Sequence, residues 1–159
     1  MNLATTAPGW LTFLLVLLLV LAAAEDAWRM RISNVIILGI LGGAVVAAVL
    51  AGPTLTLWQN LALCAGLLAL GTAAFAAGKL GGGDVKLMAV SGAWFDLDGG
   101  LLMVISTLLA GGLLALLILL LRVFSWPEAV RTRVAVLRAG SGIPYGIAIA
   151  AGSLIAVGS

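Results

Sequence analysis

The chain has 159 residues, 64% of them hydrophobic and 9% charged, with a mean hydropathy of +1.28. Soluble domains carry roughly 25% charged and about 45–50% apolar residues, so one water-soluble core could not bury this much apolar surface, and lipid is its solvent. The net charge is only +2 despite a pI of 9.2, and the basic residues lie in short loops between apolar runs, where they orient helices rather than grip phosphate; nucleic-acid binding is excluded on that ground.

A helix crossing a hydrocarbon core of about 30 Å needs roughly 17–25 apolar residues. The pattern predicts a single all-α, polytopic membrane domain over 1–159 with about six transmembrane helices. The opening segment MNLATTAPGW lacks the basic n-region of a secretory signal, so the first run, Pro8–Ala24, reads as a retained span. Val35–Ala51 follows, closed by Gly52-Pro53, and then Leu57–Ala77. Beyond Gly81-Gly82-Gly83 the run Val85–Phe95 is short, about 16 Å at helical rise. Asp98-Gly99-Gly100 reads as a turn ahead of Leu101–Leu121.

The segment 127–139 mixes arginines with valines, opens on Pro127 and stops at Gly140, the pattern of a helix lying on the membrane surface. Pro144–Gly158 is the last span.

Charge position sets the expected orientation. Arg29 and Arg31 follow the first span, Lys79 and Lys86 flank the third loop, and Arg122, Arg131, Arg133 and Arg138 follow the fifth span. These are all the Lys and Arg in the chain and they fall on alternate loops, while one opposite loop carries Asp96 and Asp98. The positive-inside rule then puts the N-terminus outside and the basic loops in the cytoplasm. Val85–Phe95 must cross for this pattern to hold, lengthened by its Gly-rich start or met by a locally thinned bilayer.

The chain has no histidine, and Cys64 is its only cysteine. Ser-His-Asp and Cys-His catalysis, a disulfide framework and the usual zinc sites are thereby excluded. No residue cluster calls for a metal or an organic cofactor. What remains is acid chemistry. Glu25, Asp26, Asp84 and Glu128 fall on the basic side, and Asp26 and Asp84 stand at the inner ends of different spans.

Acids at membrane depth are costly and by default functional candidates. Two carboxylates that meet can act as an aspartyl protease does: one deprotonates a water while the other, protonated, donates to the scissile carbonyl oxygen. Proximity separates their proton affinities so that one proton is shared, and the pair titrates as a unit, with acid and base assigned to neither residue. Glycines before Asp84 let a substrate strand or partner helix approach its backbone. The plainer reading makes both residues interfacial anchors, with Asp84 an N-cap ahead of Val85, Asp26 paired with Arg29, and Asp84 paired with Lys86. A small transporter or proton-relay subunit using the same aspartates is the alternative function, although it would want acids near the midplane. A catalytically silent assembly factor is a third.

The sequence resembles the type IV prepilin peptidases, the GxGD intramembrane aspartyl peptidases. It is most similar to the short, peptidase-only members associated with Tad (Flp) pili. The family's first motif, an Asp after the first helix with a basic stretch ending Ile-Pro-Asn, is matched by Asp26 and Arg31-Ile32-Ser33-Asn34, with Ser33 in place of the usual Pro. The second, Gly-x-Gly-Asp before a Lys-Leu pair, is matched by Gly81-Gly82-Gly83-Asp84-Val85-Lys86-Leu87, and a late Pro-Tyr/Phe-Gly by Pro144-Tyr145-Gly146.

The resemblance implies that Asp26 and Asp84 are the catalytic pair, supported by Gly81, Gly83, Asn34 and Lys86. It implies prepilin and pseudopilin substrates, cut after a basic leader at the cytoplasmic face of the bacterial inner membrane. The longer members' N-methyltransferase region, with its paired cysteines, has no counterpart here.

Asn34 is expected to hydrogen-bond near the site, and Lys86 fits that role or a positive-inside anchor. Pro144, Tyr145 and Gly146 could touch substrate; Tyr145 equally suits an interfacial anchor. Glu25 points about 100° away from Asp26 around a helix. The Gly pairs at 42–43 and 111–112 suit close helix packing. Trp10, Trp58, Trp94 and Trp126 suit an aromatic belt.

Overall fold

The computed structural model describes residues 1–123 and 142–159. The surface helix expected over 127–139, with Glu128, Trp126, Arg131, Arg133 and Arg138, lies outside the described residues. Among those described there are seven helices and no strand: α1 (Leu3–Thr6), α2 (Gly9–Arg29), α3 (Asn34–Ala51), α4 (Leu57–Ala76), α5 (Gly82–Gly92), α6 (Leu97–Val123) and α7 (Tyr145–Val157). Four of them, α2, α3, α4 and α6, are long and apolar enough to cross a membrane. The chain is a helical, multi-pass membrane protein.

Three helix ends differ from the expected ones, each for a local reason. Helix α2 runs a turn past Ala24, through good helix formers, and stops where Met30 turns left-handed at φ 53° with its N–H on the Asp26 carbonyl. The Glu25–Arg29 pair, four residues apart, supports that extra turn. Helix α5 starts at Gly82, so Asp84 lies inside its first turn rather than capping it; the cap position is Gly81, with no side-chain bond. Asp98-Gly99-Gly100 is no turn but the start of α6. Asp96 accepts from Gly99 N–H at 3.1 Å and its carbonyl from Gly100 N–H at 2.8 Å, which anchors the helix at Leu97.

Short α5 is central. It packs against α3, α4 and α7, while α7 also packs along α2 and α6. Its buried residues Val85, Leu87, Ala89, Val90, Ser91 and Gly92 cover most of its circumference, so neighbours rather than lipid surround it. Helix α4 runs antiparallel to α5, with Gly71 against Val85 and Leu67 against Gly92. Helix α3 runs parallel to α5, from Lys86–Asn34 at one end to Trp94–Ile40 at the other.

The far end of α5 is closed by α1, an element with no sequence signal. Leu3 and Ala4 donate their N–H groups to the Trp94 carbonyl at 2.8 and 3.2 Å, and both side chains are buried. Asn60 Nδ2 ties the same corner together through the Met1 and Ala93 carbonyls. Trp94 therefore overturns the aromatic-belt reading. It is 1% exposed, donates from Nε1 to the Ile40 carbonyl at 3.0 Å, and lies over Gly43. Trp10 and Trp58 are both more than half exposed, at the starts of α2 and α4.

Candidate active site

Asp26 and Asp84 reach one place from different helices. Asp26 sits on the last turn of α2, on the face turned toward α7, and its burial follows from the Ala22–Asp26 stripe that packs there. Asp84 sits on the first turn of α5, where the helix dipole favours a negative charge. The two carboxylates are close enough to interact Coulombically. Together they line an open cleft of about 680 Å³, walled by Gly78, Lys79 and Leu80 after α4 and by Ile143 and Tyr145 at the start of α7. A second cleft of about 290 Å³, bounded by Arg31, Ile32 and Gly83, is lined by the same two aspartates.

A backbone N–H holds one of the carboxylates. Gly146 donates to Asp26 Oδ2 at 2.8 Å, a buried bond spanning most of the sequence. A Cβ on Gly81 would meet only the tip of the Asp84 side chain, 2.8 Å from Oδ2, whereas Gly146 has no room for one, which would lie 2.8 Å from Asp26 Oδ2 and 2.9 Å from its Cβ. At Gly83 a Cβ would meet Ile32 at 3.4 Å, an ordinary contact, so the 30–33 turn lies against α5 without needing glycine there.

The aspartates do not form the ion pairs that the anchor reading required. Arg29 Nη1 goes to Glu25 Oε1 at 3.4 Å, and Lys86 Nζ to Asn34 Oδ1 at 3.2 Å. Glu25 also accepts from Ser33 N–H at 2.7 Å. It therefore fastens the turn between α2 and α3, on a different face from Asp26. No group of three or more acids, histidines or cysteines able to hold a metal occurs among the described residues.

The structure brings together Asp26, Asp84, Gly81, Tyr145 and Gly146 at the larger cleft, and Gly83 at the smaller one. Asn34 and Lys86 stand apart: Asn34 lines a neighbouring hollow with Glu25 and Arg29, bonded to Lys86 across the α3–α5 contact. Pro144 is buried behind the cleft. Sequence reasoning missed Met30 and Gly78, two left-handed residues at φ 53° and 70° that shape the cleft walls, and Leu80 and Ile143 beside them. Gly78, just past α4, carried a helix-stop signal; the others carried none.

A family model described as the type IV leader peptidase family matches residues 13–120, which include both aspartates and the glycines before Asp84. No curated protein and no solved structure matches the chain.

Proposed function

The chain belongs to the type IV leader peptidase family, and on that premise we propose that it is an aspartyl endopeptidase that removes the basic leader from prepilins and pseudopilins. The observation that carries this reading is the convergence of Asp26 and Asp84 from separate helices on one open cleft. A water between the carboxylates loses a proton to one of them and attacks the scissile carbonyl carbon. The other, protonated, donates to the carbonyl oxygen. The tetrahedral species then collapses: the carboxyl that took the water's proton passes it to the leaving nitrogen, the peptide C–N bond breaks, and the hydroxyl proton returns to the other carboxylate as the carbonyl re-forms. Donors fixed in a site of low dielectric help without having to reorganise.

The whole chain acts as one peptidase domain of six spans, with α5 and α7 completing the four long ones. The N-terminus is outside, and the active site faces the cytoplasm of a bacterial inner membrane. This topology is supported by charge: Arg29, Arg31, Lys79, Lys86 and Arg122 all belong to the helix ends nearest the aspartates, and Asp96 and Asp98 to the opposite ends. Tad (Flp) pilins are the substrates that the motif resemblance favours. Gly81 and Gly83 give a substrate strand its close approach to the backbone, and Asn34 and Lys86 brace the start of α5 from the side.

The test is co-expression with candidate prepilins and mass measurement of their processed N-termini. Asp26→Ala and Asp84→Ala are expected to insert normally and leave the leader uncut. Normal processing by either variant overturns the reading.

A further inference from the structure

Gly146 was expected, at most, to touch substrate. Its surroundings assign it elsewhere. Its N–H ends 2.8 Å from Asp26 Oδ2, and that carboxylate is 5% exposed, so little water competes for the bond. The donor lies in the first turn of α7, where N–H groups have no partner within the helix and carry the positive end of its dipole. A side-chain donor could swing away from the carboxylate, but this main-chain donor cannot: α7 is wedged between α2, α5 and α6. A Cβ at 146 would stand 2.8 Å, 2.9 Å and 3.0 Å from Asp26 Oδ2, Cβ and Cγ. The whole Asp26 side chain, rather than one flexible tip, fills the space that any other residue would need.

We propose that Gly146 is a positioning residue, whose backbone N–H and missing side chain together hold the Asp26 carboxylate turned toward Asp84. The inference rests on the peptidase reading for its catalytic consequence, but the contact itself can be tested without it. The N–H is bonded to Asp26 Oδ2, so it offsets part of that carboxylate's charge at the cleft it shares with Asp84. Other charged or titratable groups facing this point are Arg29 from α2, Lys79 from the α4–α5 turn, Tyr145 from α7 and, at the smaller cleft, Arg31.

The experiment compares full-length Gly146→Ala with Gly112→Ala, whose Cβ would meet nothing within 4 Å. Gly146→Ala is expected to lower kcat about 100-fold, as a displacement of about an ångström does. KM should stay within about two-fold and the acid limb of the pH–rate profile should move by ~0.5 unit or more, since the dyad's protonation changes. Gly112→Ala should match the native enzyme. Native kcat and an unmoved profile in Gly146→Ala overturn the proposal.

Should Gly146→Ala fail to accumulate, the native chain labelled with ¹⁵N-glycine decides. The Gly146 amide resonance is expected to move as the carboxylates titrate, and to lose that response in Asp26→Asn. A resonance flat with pH overturns the proposal. If Asp26→Ala and Asp84→Ala both process leaders normally while this resonance still titrates, the contact stands and the peptidase reading falls.

Discussion

Lys86 Nζ donates to Asn34 Oδ1 across 3.2 Å, joining the first turn of α5 to the first residue of α3. Both residues belong to sequence motifs, yet neither lines a cleft shared by Asp26 and Asp84. Both side chains are exposed, so the bond contributes little to stability. Asn34→Ala and Lys86→Ala are each expected to slow cleavage only a few-fold. The double variant should be no worse than the more damaged single one, since both remove the same bond. A rate assay on the four proteins in one lipid mixture checks this.

Adjacent acids should behave oppositely. Asp84→Asn and Asp26→Asn keep the shape of the site but remove its proton transfer, worth about 10²–10⁴-fold in rate. Glu25→Gln keeps an acceptor for Ser33 N–H and loses only the exposed pair with Arg29. It should cleave within about three-fold of native, exposed pairs being worth little. Single-turnover cleavage of one prepilin measures all three.

The glycines of the 42–43 pair are not equivalent. A Cβ on Gly43 would lie 2.8 Å from Trp94 Cζ2, in a rigid ring, whereas one on Gly42 meets nothing within 4 Å. Gly43→Ala is expected to destabilise by roughly 1–3 kcal/mol through overpacking. Gly42→Ala should be neutral or stabilise by up to about 1 kcal/mol through helix propensity. Thermal unfolding in detergent separates them.

Trp94 should be the most sensitive position far from the site. Trp94→Ala empties a fully buried indole volume and is expected to cost about 3–5 kcal/mol. Trp94→Phe keeps much of the ring and loses the bond to the Ile40 carbonyl, about 1 kcal/mol. Denaturation midpoints check the order; equal midpoints for the two variants would contradict the packing described.

The parts of the fold legible in the sequence were those written in long runs. Val35–Ala51 and Leu57–Ala77 agree with α3 and α4 to within a residue because each is a long apolar run, followed by Gly52-Pro53 and by Gly81-Gly82-Gly83. Short-range signals were ambiguous. Asp98-Gly99-Gly100 has the composition of a turn, and only the Asp96 cap turns it into a first helical turn. A tryptophan near a span end fits a belt or a core, and the sequence holds no sign of the α1 segment that covers Trp94. At the site, Asp26 and Asp84 stood out as acids in apolar surroundings, and Gly81 by its motif. The donor on Asp26 is a main-chain N–H. Every residue but proline carries one, so composition could not single out Gly146 for that role.

Helix α5 has one consequence for the cell's energetics. Its cleft end faces an open hollow, but the opposite end is stoppered by Trp94, Phe95 and Leu3, each buried to within about one per cent. Solvent that enters the hollow meets a dead end of packed rings. Under the proposed hydrolytic reading, water is thus admitted to the aspartates without a path through the protein, and the voltage and ion gradients across the bilayer are left undisturbed.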